Sequence, residues 1–341
     1  MKKAPMFRLT LLEAGIVCLM ALVGVSLIVE DRRMKHVDDF GPLLSVQPQF
    51  ERLDDAVKKE WIAQGNSSKE QLRTKLLDAT VECIEKRLRA AHVRNTGVQK
   101  TPEGRIDIVL SKGADAAGVK NLVLRRGVLS FHEVTTRDDT LEVLKAVDSN
   151  PKFQGRLLPL ISGENPYGLP LVDGKDCESA KAVVDEVDNT PGVLPSGKTL
   201  ALARDLLRSS GRPLYLMDTQ SRMEGVKVRY AAVIPENDDP HTGMVLFEMS
   251  DSDAERFGDL TQSLLGKGLA IVVDGEVQSV PDHQEPRCTR MEIAAGYTAS
   301  EAFDLAAVLT SGPLPAPLVE VVPKEAGMQH PPAPPSKGEL Q

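Results

Sequence analysis

The chain has 341 residues, room for two average domains, and its 41% apolar content is that of a globular protein with a sizeable core. A formal net charge of −8 leaves no broad basic surface, so nucleic acid is not an expected partner and an anionic membrane surface would not attract the soluble part. Cys18, Cys83, Cys177 and Cys288 are widely spaced with no CxxC, which disfavours a metal site and leaves open, without requiring it, a disulfide between two of the last three.

Leu9 to Val29 is an apolar run of 21 residues interrupted by one acid, Glu13, and is long enough to span a bilayer. Lys2, Lys3 and Arg8 precede it, which favours an N-terminus inside the cytoplasm. A cleaved signal peptide is the competing reading, but its small-x-small pattern, Gly24-Val25-Ser26, falls inside the apolar run rather than after it. Residues 1–35 are therefore expected to be a membrane anchor.

Val37 to Gly65 carries only a weak helical hint around Phe50 to Ile62. Ser67 with Glu70, or Ser68 with Gln71, can cap a helix whose apolar stripe is Leu72, Leu76, Val81, Ile84, Leu88 and Ala91. Arg105 to Leu110 alternates as a half-buried strand does, a helix follows around Ala114 to Arg126, and Val128 to Val134 is again a strand. The same β, α, β order returns as strand Met244 to Met249, helix Asp253 to Leu265 and strand Leu269 to Val273. Two such units imply a sheet with helices on one face, an α+β architecture.

Between them, Thr135 to Asp239 is broken by Gly and Pro and is expected to hold helices at Glu178 to Val187 and Lys198 to Ser209 and a strand at Leu214 to Asp218. Towards the end, Leu269 to Val273 and Glu276 to Val280 flank Asp274-Gly275, the dipeptide a type I′ hairpin turn requires. Thr298 and Glu301 form a capping box for a helix with Ala302, Leu305, Ala306 and Leu309 inward, and Gly312-Pro313 stops it. Residues 323–341 carry five prolines and read as a disordered or extended tail.

Gly192-Val-Leu-Pro-Ser-Gly-Lys-Thr199 has the spelling of a phosphate-binding loop, with Gly192 and Gly197 freeing the backbone, Lys198 reaching phosphates and Thr199 holding Mg²⁺, and Leu214 to Asp218 as its acidic strand. Such a loop must follow a parallel strand, and the preceding residues read instead as an acidic amphipathic helix and a turn. The competing reading is a Ser-Gly loop capping a helix after Lys198. The six histidines have no ligand spacing and no GxSxG elbow occurs, so no metal, cofactor or catalytic residue is expected.

The run LAIVVDGEVQSVP (269–281), then Gly296-Tyr297-Thr298, then LTSGPLPAPL (309–318), resembles the end of the first periplasmic domain of the SecD family of protein-export membrane subunits. Arg105 to Leu110, Val128 to Val134, Gly225 and Met244 to Met249 are similar to other parts of that domain. The resemblance implies a ferredoxin-like two-layer base, formed by 36–134 and 241–322, around an inserted head at 135–240. It also implies a bacterial inner-membrane protein, single-pass here and lying mostly in the periplasm, that is not an enzyme and binds unfolded preprotein beside the Sec translocon or other export subunits. A nucleotide-binding protein using Gly192 to Thr199, and a non-catalytic envelope scaffold, are the alternatives.

Overall fold

Along residues 106–111 buried positions alternate with half-buried ones, so Ile106, Ile108 and Leu110 form a single apolar row, the signature of a strand covered on one face. The computed structural model describes residues 40–53, 69–94, 96–164, 170–204, 211–236, 239–264, 267–281 and 290–321. The expected membrane span, the Ser67 and Ser68 caps, the 323–341 tail and the far half of the expected helix 198–209 lie outside them. Among the described residues no helix is long and apolar enough to cross a membrane.

The chain begins with β1 (Phe40–Pro48), α1 (Lys69–Ala90), β2 (Gly97–Lys100), β3 (Ile106–Ser111) and α2 (Ala116–Leu124). It continues through β4 (Leu129–Val134), α3 (Arg137–Ser149), β5 (Ile161–Glu164), β6 (Pro170–Asp173), α4 (Cys177–Asp188), β7 (Lys198–Leu202) and β8 (Gly211–Asp218). It ends with β9 (Met223–Glu224), β10 (Val228–Glu236), β11 (Asp239–Met249), α5 (Asp251–Ser263), β12 (Gly268–Val273), β13 (Glu276–Ser279), β14 (Arg290–Thr298), α6 (Ala299–Ser311) and β15 (Leu318–Glu320). The result is a mixed helix and strand protein.

Three sheets organise it. The first has the order β15-β1-β3-β2 with every neighbouring pair antiparallel, so the path is β-α-β-β-α and, only after the rest of the chain, β. Its core packs Val46, Ile106, Ile108 and Leu110 against Ile84 and Leu88 of α1 and Leu122 and Val123 of α2. Among the described residues, every strand between Arg125 and Pro317 lies outside this sheet, so that stretch is an insertion into the base. Within it, β10-β11-β14 form a second sheet and β13-β12-β4-β8-β6-β5 the path of a third. Leu129 and Phe131 of β4 and Leu269, Ile271 and Val273 of β12 pack in one core with Val245, Phe247 and Ile293 of the second sheet, and the ring of Phe257 of α5 lies 4.8 Å from that of Phe131, tilted by 47°. A further core joins α3 and α4 to Val172, Leu200, Leu214 and Leu216.

Two expectations are corrected. Arg105 to Leu110 and Leu269 to Val273 do not share a sheet: β3 pairs with β1 and β2, whereas β12 pairs with β4 and β13. Among the described residues of 241–322, β15 is the strand that joins the first sheet; β11 and β14 build the second and β12 and β13 the third. Alternation reveals that a strand has one covered face but not which strand lies beside it. Secondly, Lys198 opens a strand rather than a helix. Leu200 is buried opposite Leu216 in the β7–β8 ladder, and that pairing overrides local helix preference. The expected helices at 114–126, 178–187 and 253–265 are present as α2, α4 and α5, while α3, β10 and β14 were not anticipated.

One side chain closes base onto insertion. Arg87 of α1 is fully buried; its guanidinium donates to the carbonyl oxygens of Leu122 (3.1 Å), Arg125, Arg126 (3.4 Å) and Gly312 (3.2 Å), and its Nε to Ser311 Oγ (3.1 Å). These acceptors are the C-terminal ends of α2 and α6, where the chain leaves the base and returns. Burial lowers the Arg87 pKa from its ordinary value, and the helix-end carbonyls supply compensating negative potential. Arg87→Met should lower the stability of the folded region by about 3 kcal/mol or more, because several buried carbonyls lose a charged donor. Arg87→Lys should recover only part, since an ammonium lacks the planar fork. Urea midpoints at unchanged slope would measure this, and a Met variant within ~0.5 kcal/mol of the parent would refute it.

Candidate functional site

The stretches that carry the sequence signature come together in one place. Asp274 and Gly275 take positive φ of 54° and 82°, as the type I′ turn requires, and the Asp274 carboxylate accepts from Val128 N at 2.8 Å, fastening the hairpin to the exit from the base. Behind the turn, Gln278 is fully buried: its Nε2 donates to Glu276 O at 3.0 Å and its Oε1 accepts from the Tyr297 hydroxyl at 2.5 Å. Arg204 lies over the Tyr297 ring at 4.9 Å, donates its backbone N–H to Val277 O at 2.8 Å and pairs with Glu301. Glu301 in turn accepts from Thr298 N at 3.0 Å, completing the expected capping box.

Burial pushes the Tyr297 phenol well above its usual range. For Glu301 burial acts against the charge, yet the Thr298 N–H and the Arg204 guanidinium hold it below the usual carboxylate range. The cluster therefore keeps a neutral phenol inside and a charged carboxylate at its edge, an arrangement that fixes positions and offers no nucleophile and base pair. Arg204 and Arg87 were not picked out from the sequence. Arg87 had a signal, a charge three residues after Ile84 and one before Leu88 on an apolar stripe; Arg204, in a stretch read as helical, had none.

The loop from Gly192 to Lys198 lies between α4 and β7, the reverse of the strand-then-helix order a phosphate cradle needs. Gly192 and Gly197 have φ of 79° and 77°. Lys198 Nζ contacts Asp218 Oδ1 at 2.6 Å and Thr135 Oγ1 at 2.9 Å, and Thr199 Oγ1 donates to Asp188 Oδ2 at 2.6 Å. The lysine and the acidic strand do meet, but as an ion pair. Beyond it Asp218 Oδ2 takes Arg222 at 3.1 Å, and Arg222 and Lys267 both hold Glu133, the latter at 2.7 Å. Although its burial disfavours charge, these two cations keep Glu133 below the usual range. His132 bridges Ser130 Oγ (3.1 Å) and the Asp218 carbonyl (2.9 Å) in the same region. Among the described residues no group of three or more His, Cys, Asp or Glu is placed to hold a metal, and Cys83 and Cys177 are buried free thiols.

With this arrangement in view, comparison with known proteins shows what the chain is similar to. The family model for the SecDF P1 head subdomain matches residues 200–316, from β7 through α6, across the boundary expected at 240. SecD of Aquifex aeolicus is 37% identical over 124 residues, covering 36% of this chain and 24% of that protein; SecD of Magnetococcus marinus is 27% identical over 259 residues, covering 75% and 40%. The chain thus spans less than half the length of these curated relatives. A crystal structure of SecDF in a super-membrane-facing form aligns at 19% identity with a TM-score of 0.48, covering 84% of this chain and 30% of that one. Residues 200–316 thus match the SecDF P1 head subdomain and the chain is similar to SecD subunits along about three quarters of its length, the likeness its C-terminal motifs led one to expect.

Two measurements test the local assignments. Tyr297→Phe removes the donor to buried Gln278 and should cost about 1–3 kcal/mol. Because the phenol is harder to ionise in the folded state than in the unfolded one, the stability it contributes is complete below pH ~10 and is lost as pH rises towards the folded pKa. The Phe variant should therefore lose less stability between about pH 10 and 12 than the parent, and equal alkaline losses would contradict the assignment. For the loop, Mg-ATP or Mg-GTP should leave the melting temperature unchanged in both the parent and Lys198→Ala; a nucleotide-dependent rise that Lys198→Ala abolishes would restore the phosphate-loop reading.

Proposed function

We propose that this protein is a SecD-like extracytoplasmic component that binds translocating or unfolded polypeptide during protein export and carries out no chemistry of its own. The observation carrying this reading is the match of residues 200–316 to the SecDF P1 head subdomain. It is supported by likeness to SecD translocase subunits along about three quarters of the chain. On this reading the sheet β15-β1-β3-β2 with α1 and α2 is the ferredoxin-like base, and Leu9 to Val29 is a single-pass anchor in the inner membrane with its N-terminus cytoplasmic. The partners are then the Sec translocon or other export subunits. The insertion contacts the polypeptide while the base positions it, in keeping with binding segments carried on a rigid scaffold. Energy for movement would come from a partner.

Photo-crosslinkers at exposed insertion positions Gln154, Ser162 and Tyr230, and at exposed base positions Leu43 and Gln99, would test the division of labour during export of a model secretory protein. Crosslinks to the secretory chain should form from the insertion. Crosslinks from the base alone, or from no position in correctly inserted protein, would end the proposal.

A further inference from the structure

The second sheet has an open side. β10 is its terminal strand: all of its described ladder runs to β11, from Val228↔Met249 to Glu236↔Asp239. Among the described residues, no backbone hydrogen bond outside that ladder reaches residues 228–236. Soluble proteins usually guard such an edge with charge or proline along its length. Here the guards stand only at the ends. Arg229 is held away by Glu248 at 2.7 Å and Asp251 at 3.1 Å, and Pro235 closes the far end. The centre, Ala231-Ala232-Val233-Ile234, is apolar, uncharged and half-buried.

An exposed aromatic stands at each side of this centre. Tyr230 is 54% exposed on β10 itself, and Phe303 is 48% exposed on α6, which packs under both β10 and β11. Phe303 is two positions, about 200°, around α6 from Glu301. Glu301 is held by Arg204 beside Tyr297 of β14, so Phe303 lies on the opposite flank of α6 from that cluster.

We propose that β10 receives an extended polypeptide segment as an added strand, through residues 231–234, with Tyr230 and Phe303 taking its side chains. The occupant follows from the chemistry of the edge: unpaired main-chain N–H and C=O groups recognise another main chain whatever its sequence, and pockets or aromatic surfaces beside them add preference for apolar side chains. A binder of many different unfolded chains needs that lack of sequence demand. This inference rests on the polypeptide-binding reading above and locates it.

The full chain in detergent would be titrated into a fluorescein-labelled 12-residue Val/Thr peptide and into the same peptide N-methylated at three consecutive central residues, which removes donors from both of its edges. Anisotropy should show binding at least tenfold weaker for the methylated peptide, and hydrogen exchange of the amides at 231–234 should slow when the unmethylated one binds. Ala231→Pro and Ala232→Pro provide a second arm. One of the two removes an outward N–H, and that variant should keep the parental melting temperature yet lose peptide binding; the other removes a ladder bond and should destabilise. Equal affinity for both peptides, with slowed exchange elsewhere, would overturn the edge site and leave the polypeptide-binding reading standing. Failure of either peptide to bind would overturn both. A concentration-dependent dimer lost in the stable Pro variant would assign the edge to a second copy of the chain instead.

Discussion

The structure depends on how one buried positive charge is compensated. Arg87 sits in the apolar stripe of α1, and the oxygens it reaches belong to the ends of α2 and α6. A guanidinium without such partners would be too costly to bury, and the helix-end carbonyls would lose a charged donor that the helix itself does not supply. Each requirement is met by the other. Since those two helix ends are also the two places where the chain crosses between base and insertion, satisfying a charge and aligning two structural units become the same event. The hairpin turn reinforces this, because Asp274 binds the backbone of Val128 just beyond the outgoing crossing.

The α6 helix extends the coupling along its length. Ala302, Leu305, Ala306 and Leu309 belong to the core of the insertion, whereas Ala307 and Val308 belong to that of the base. A helix that is apolar nearly all round is buried between two layers rather than laid on one. Its N-terminus is fixed by the Thr298 and Glu301 box beside the Tyr297 cluster, and its C-terminus by Arg87, so both ends are set by polar contacts and the middle by two cores. Movement of the insertion against the base would have to carry this helix with one partner and strip it from the other.

What the sequence disclosed followed the range of its signals. The hairpin around Asp274-Gly275, the Thr298 box and the stop at Gly312 are decided within a few residues, and all three are present. Helices α2, α4 and α5 were legible from their spacing, and α3 would have been too, since Thr136 caps Asp139 N and Thr140, Leu144 and Val147 are its buried positions. The sheet assignments were not legible, because they depend on pairings such as Ile271 with Phe131 and Val46 with Glu320 that no local pattern encodes. β7 failed for the same reason: Lys198 to Leu202 is a strand because β8 is there to pair with it. At the candidate site the motif residues were recognised but not their meeting, and Gln278 with Tyr297 joins two stretches that looked independent.

The position of β15 has a consequence for synthesis. In the finished base it covers the outer edge of β1, yet those strands are separated by almost the whole described chain. β1, both base helices, β2 and β3 leave the ribosome early and must stay with one edge of the sheet uncapped until the last strand arrives. At ~5–20 residues per second that interval is on the order of tens of seconds, far longer than helices and hairpins take to form. During it the base is an incomplete sheet, and anything able to offer a strand competes for the place of β15. The insertion must therefore bring its two ends together before the base can close, and the backbone bond from Leu314 N to Arg126 O, at 2.7 Å, marks where that happens.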